Sequence, residues 1–170
     1  MAKAGQIKNW FTQLELQAEQ QFGIHIVADG RWFHHGREIR RAGLVKLFAS
    51  VLMLDEVGDF WLVTPAEKGR ITVEDAPFIA VSMTVVGHDG DAKIVFYTNV
   101  GDEVQLDAAH PLNISVVPQN EGVRPYIEVR DGLLAKLSRP VYYELAEYAV
   151  LGPGGRLGVW SCSDFFPLES

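Results

Sequence analysis

The sequence predicts an α+β fold made of duplicated strand-turn-strand-helix-strand units. Two observations lead there. Short apolar runs separated by Gly, Asp and Pro turns read as strands, and two longer stretches with helical spacing interrupt them. The pattern around the first of these stretches then returns around the second. Laying Arg41 on Arg139 puts Leu44 opposite Tyr142, Leu47 on Leu145, Leu52 on Val150, and Trp61-Leu62 on Val159-Trp160. Upstream, Asp29-Gly30 is echoed by Asp131-Gly132.

The elements follow in order. Ile7, Trp10, Phe11, Leu14, Ala18 and Phe22 stand at helical spacing, and Gly23 is a natural helix stop. Residues 24–28 form a strand, turned at Asp29-Gly30 through a type I′ turn into Arg31-Trp32-Phe33. Leu44, Val45, Leu47, Phe48, Val51 and Leu52 give a wide apolar face, which predicts a helix buried on much of its circumference. Residues 60–63 are a buried strand, and residues 64–69 are a polar turn. The domain boundary is placed there: residues 1–72 form the first unit and residues 73–170 the second.

In the second unit, residues 78–86 and 93–98 pair across a turn at His88-Asp89-Gly90-Asp91. Further strands cover residues 112–117, 126–130 and 133–137. Ser138 caps a second helix with Pro140 in its first turn, and a last strand runs through residues 157–161. A curled antiparallel sheet with one capping helix has the outline of a pleckstrin-homology-like domain, with a strand added after the helix.

Bulk properties narrow the function. The net charge of −7 argues against a nucleic-acid binder, which needs clustered cations. The charge is uneven: residues 1–50 carry seven Lys/Arg against four Asp/Glu, and residues 51–170 carry eight against eighteen. The single cysteine, Cys162, precludes an intramolecular disulfide and a Cys-based zinc site. No run has the length and apolarity of a signal peptide or a membrane span, so the expected location is cytoplasmic.

No GxGxxG, P-loop, HExxH or GxSxG pattern is present. His34 and His35 are adjacent, and neighbours on a strand point to opposite faces, which disfavours a shared metal. The expectation is therefore a binding protein rather than an enzyme, with no metal and no assigned cofactor. Its sharpest feature is a cation at each helix start, Arg40-Arg41 and Arg139, where the helix dipole disfavours positive charge. Helix-start amides plus guanidinium groups would suit a phosphate or carboxylate. The alternative is that these arginines pair with the acids of the second half.

The runs DGRWFHHGREIRRAGLVKLFASVL, FWLVTPAEK, VEDAPFIAV, YTNVGDEVQLDAAHPL, RPYIEVRDGLLAKLSRPVYYELAE and GVWSCSDFFPL resemble the proteobacterial family of domain of unknown function 1285. The resemblance spans nearly the whole chain from about residue 20. It implies a duplicated α+β core, a C-terminal part like pleckstrin-homology domains, and a nucleotide-type ligand between the domains. It also implies a role in signal transduction, with a signalling protein as a further partner. Polar positions in or near these motifs supply the candidate site: Arg41, Thr64, Glu67, Lys68, Asn99, Tyr126, Arg130 and Arg139. The alternative reading is a protein-interaction adaptor without a small-molecule ligand, and a third is an unrecognised enzyme.

Overall fold

The computed structural model describes residues 20–119 and 122–169. The chain divides into two compact units, Met1–Asp75 and Ala76–Ser170. Of the helix expected over residues 4–22, residues 4–19 lie outside the described residues, and residues 20–22 are strand instead of helix. Among the described residues no helix is long and apolar enough to cross a membrane.

Unit 1 contains β1 (Gln20–Ile26), β2 (Trp32–His34), β3 (Arg37–Glu38), α1 (Ala42–Ser50), β4 (Leu52–Leu54), β5 (Phe60–Val63) and β6 (Lys68–Val73). Its six strands form one sheet in the order β3-β2-β1-β6-β5-β4. Two antiparallel three-stranded meanders are joined by one parallel contact, β1 with β6. Ile26, Trp32, Leu52, Trp61 and Leu62 are buried, each contributing about 1.5–3 kcal/mol of apolar burial.

Unit 2 contains β7 (Phe78–Val86), β8 (Lys93–Thr98), β9 (Glu103–Gln105), β10 (Leu112–Val116), β11 (Val123–Arg130), β12 (Leu133–Leu137), α2 (Arg139–Ala146), β13 (Val150–Leu151), β14 (Leu157–Ser161) and β15 (Asp164–Pro167). Its larger sheet runs β10-β11-β12-β7-β8-β9, and β13-β14-β15 make a separate small sheet. The larger sheet is wired like that of unit 1. Two antiparallel meanders are again joined by one parallel contact, here β7 with β12. Phe78, Phe96, Ile127, Leu133, Leu145 and Val159 are among its fully buried side chains.

The duplication is real, but the sheets repeat in a different frame from the helices. The strand-turn-strand-helix-strand succession does recur, around α1 and around α2. In sheet order, however, β1 corresponds to β7 and β6 to β12. The helix lies between the two meanders in unit 1 and after the second meander in unit 2. The second sheet is accordingly mixed, not purely antiparallel as expected.

Local chemistry explains several other differences. Gly23 is not a helix stop. It lies inside β1 at φ +65°, where the β1–β6 register shifts, and the His35 ring occupies the space a Cβ would need. Asp29-Gly30 does not form a type I′ turn, because only Gly30 has positive φ; Asp29 instead accepts from the main-chain and side-chain nitrogens of Arg31. The two-residue type I′ turns are at His35-Gly36, Asp131-Gly132 and Cys162-Ser163, where both central residues have positive φ. That places Cys162 in the turn that follows β14. α1 ends earlier than its apolar spacing predicts, with Leu52 entering β4, and of its residues only Ala49 is buried. The polar turn after β5 is shorter than expected, since Lys68 is already in β6 and buried.

Candidate functional site

Unit 1 holds an open crevice of about 410 Å3, within the size range of small-molecule sites. Phe22 and Ile24 come from β1, His34 from β2, Leu44 and Phe48 from α1, and Leu62 from β5; Ile39 and Val51 complete the apolar lining. The exposed side of the helix faces elsewhere: Leu47 is 61% exposed. Gly69 makes room for the Phe22 ring, since a Cβ at that position would collide with it. Phe48 stacks on Trp32 with ring centroids 6.5 Å apart. The Trp32 indole nitrogen is buried and has no acceptor among the described residues.

The polar part of the lining is His34, Thr64 and Glu67. Thr64 Oγ1 accepts from the amides of Ala66 (3.3 Å) and Glu67 (3.1 Å) and donates to the Glu67 carbonyl (3.2 Å). The Thr64 amide also donates to that carbonyl at 2.9 Å. These bonds fix the turn and leave the Glu67 side chain exposed. Arg41 is the N-cap residue of α1, exposed, and its side chain makes no capping bond. Its carbonyl accepts from the amides of Leu44 and Val45, so the helix start is ordered by main chain and the guanidinium points no bond back into it.

Lys68 leaves this group. Its Nζ sits 4.4 Å from the centroid of the Trp61 ring, and Arg70 lies 4.8 Å from the same ring, an arrangement worth about 0.5–2 kcal/mol per contact. The Trp61 indole N–H donates to Asp55 Oδ2 at 2.9 Å, while Asp55 Oδ1 accepts from the amides of Val57 (3.0 Å) and Asp59 (2.8 Å). Burial works against ionisation of Asp55, but these donors and the Gly58 amide outweigh it and hold its carboxyl below the ordinary value. This cluster pins the β4–β5 turn and β6.

In unit 2, Asn99 and Arg130 each contact the start of β7, at Ile79 and at Phe78. Asn99 Oδ1 accepts from the Ile79 amide at 2.9 Å, the Asn99 amide donates to the Ile79 carbonyl at 2.9 Å, and Arg130 lies 5.5 Å from the centroid of the Phe78 ring. Tyr126 is half-buried on β11, paired with Asn113 and Lys136. Arg139, the first residue of α2, is exposed; the cap is Ser138, whose Oγ accepts from the Val141 amide at 3.4 Å. Thus Thr64 and Glu67 share one crevice, Asn99 and Arg130 share one strand end, and Lys68, Tyr126 and Arg139 stand apart from both.

Two further pairs bring titratable side chains close together. His34 and His35 approach to 4.3 Å between ring centroids because His35 turns at positive φ, contrary to the opposite-face expectation. Among the described residues no group of three or more His, Cys, Asp or Glu side chains is placed to hold a metal ion. Asp107 accepts from the His110 amide and contacts His110 Nδ1 at 2.9 Å each. Burial again opposes its charge, and the His110 contacts prevail to keep the carboxyl low. Carboxyls held low are hydrogen-bond acceptors, not general acids.

Of the crevice lining, residue patterns alone picked out Thr64 and Glu67 and missed the rest, which come from four separate elements and the links beside them. The one usable signal was the wide apolar face that includes Leu44, Phe48 and Val51, which the sequence reading assigned wholly to the core.

Family models match both units: residues 10–76 match "Domain of unknown function (DUF1285), N-terminal domain", and residues 77–168 match "Protein of unknown function (DUF1285), C-terminal domain". No curated protein matches the chain. Among solved structures, a DUF1285 family protein from Silicibacter pomeroyi DSS-3 is 36% identical with a TM-score of 0.82, over 91% of this chain and 85% of that one. A DUF1285 family protein from Shewanella baltica OS155 is 27% identical with a TM-score of 0.58, over 74% of this chain and 91% of that one. With both halves matched in order, the chain belongs to the DUF1285 family.

Proposed function

We propose that this protein is a small-molecule-binding module used in signalling, and that unit 1 takes a nucleotide-like ligand. The crevice of about 410 Å3 carries this reading. Phe22 and Phe48 supply aromatic surface for a planar body, as apolar pockets with few polar groups do. The Glu67 carboxylate and Thr64 turn offer acceptors for ring or amino N–H donors. Arg41, one turn before Leu44 on the helix that lines the crevice, is the cation for a phosphate.

Thermal denaturation in the presence of individual nucleotides, and of the matching nucleosides, tests the proposal. A ligand at a hundredfold excess over its Kd stabilises by about 2.7 kcal/mol. For a chain of this length that raises Tm by roughly 5–10 °C. The expected result is a shift with a nucleotide, a smaller one with its nucleoside, and loss of that difference in Arg41→Ala. If no nucleotide stabilises the protein, or Arg41→Ala behaves like the parent, the proposal fails.

A further inference from the structure

Unit 2 carries a second crevice, of about 650 Å3, lined among others by Val85, Ile94, Tyr148, Val150, Trp160 and Ser163. Three of these are large and strongly exposed: Tyr148 at 48%, Val150 at 46% and Trp160 at 42%. An apolar patch of this kind, left open to water, is a mark of an interaction surface.

The aromatic floor is rigid. Trp160 pairs across the small sheet with Phe165, ring centroids 5.3 Å apart. The Phe165 ring fills the space that a Cβ would need at Gly152 and at Gly158, so two glycines are its seat. The residues after Trp160 are anchored as well. Ser161 Oγ accepts from the Ile94 amide and donates to the Leu106 carbonyl, and the Cys162 amide donates to the Ala92 carbonyl at 3.0 Å. Cys162 and Ser163 then hold positive φ (52° and 67°), an uncommon state for non-glycine residues. Trp160 and Tyr148 line the same crevice, and tryptophan and tyrosine are enriched among the residues that anchor protein interfaces.

Charge selects the partner. Unit 2 carries six Lys/Arg against twelve Asp/Glu. In the chain, Asp91, Glu147 and Asp164 each adjoin a residue that lines the crevice, against the single cation Lys93. Aromatic faces in an acidic surround attract guanidinium and ammonium groups.

We propose that this crevice docks a basic, apolar-flanked segment of a partner protein. An Arg or Lys head meets Tyr148 and Trp160, and its aliphatic stem lies along Val85 and Val150. The site is separate from the unit 1 crevice, and its test does not depend on the nucleotide reading.

The test follows the Trp160 indole N–H in the full-length 15N-labelled protein, identified by its loss in Trp160→Phe. Three probes are titrated: a capped heptapeptide alternating valine with arginine, the same peptide with glutamate for arginine, and N-acetylarginine methylamide. The expected result is a saturable shift with the basic peptide, at least ten-fold weaker binding of the other two, and at least ten-fold weakening by Tyr148→Ala. Asp164→Lys should weaken it several-fold and more at low salt. Unchanged indole signals from the other tryptophans establish that the exposed-site variants fold. The proposal is overturned if no probe shifts the resonance, if the acidic peptide binds equally, or if Tyr148→Ala has no effect. Equal binding of N-acetylarginine methylamide also overturns it, because that marks a small-cation site and not a protein-docking surface.

Discussion

Removing the hydroxyl of Ser161 tests how strongly the small sheet of unit 2 is tied to the large one. Ser161 is fully buried, and its Oγ accepts from the Ile94 amide at 2.9 Å and donates to the Leu106 carbonyl at 2.7 Å. Ser161→Ala keeps the Cβ, so little packing is lost, but it strands one buried donor and one buried acceptor. Each group left without a partner costs about 1–3 kcal/mol. The Leu106 amide still bonds the Ile94 carbonyl, which holds the two strands in place and limits relaxation. The expected loss is therefore about 2–4 kcal/mol, or roughly 4–16 °C in Tm. Urea unfolding followed by far- and near-ultraviolet circular dichroism measures it, with Ser115→Ala on exposed β10 as the control. A loss below about 1 kcal/mol with an unchanged denaturant slope would refute the claim that this hydroxyl joins the sheets.

Two further predictions concern turns. The Asp55 carboxyl is held below its ordinary value of 3.8, so its contribution is fully present above that pH and is lost as pH falls through the lower folded value. Asp55→Asn should remove that acid-side slope and, at neutral pH, cost about 1–3 kcal/mol, because one amide cannot accept from Trp61 on one side and from Val57 and Asp59 on the other; acid titration of unfolding free energy in both proteins would reveal any surviving slope. Replacing Cys162 with Asn and Ser163 with Gly gives the type I′ turn its preferred residues and should stabilise by about 1–2 kcal/mol; a neutral or destabilising result in urea unfolding would show that the native pair carries a compensating contact.

The sequence made the strands of unit 2 legible because they alternate and are punctuated: residues 78–86 and 93–98 form strands with those limits. It also marked the cap at Ser138. It misread Gly23 and Leu52, where a residue compatible with a helix is claimed by a strand pairing that only the fold supplies. Lys68 illustrates the same limit for the site. Its charge put it among the polar candidates, but the Trp61 ring two strand positions away in register gives it a buried seat. Thr64 and Glu67 lie together at the crevice since they bracket one short turn, whereas the aromatic seat at Gly152 and Gly158 depends on a cross-strand ring and was invisible in the chain.

The parallel contacts have a consequence for how the protein is made. In each unit the strand that starts the sheet must find the strand that ends it: β1 waits for β6, and β7 for β12. As the chain leaves the ribosome, β1 to β3 can fold locally, yet their inner edge stays open until Lys68–Val73 has emerged. Loop closure over that span precedes the reward of pairing, which is the condition for slow folding. Each six-stranded sheet is thus completed in one late step, and a nascent chain stalled before β6 would carry an open strand edge.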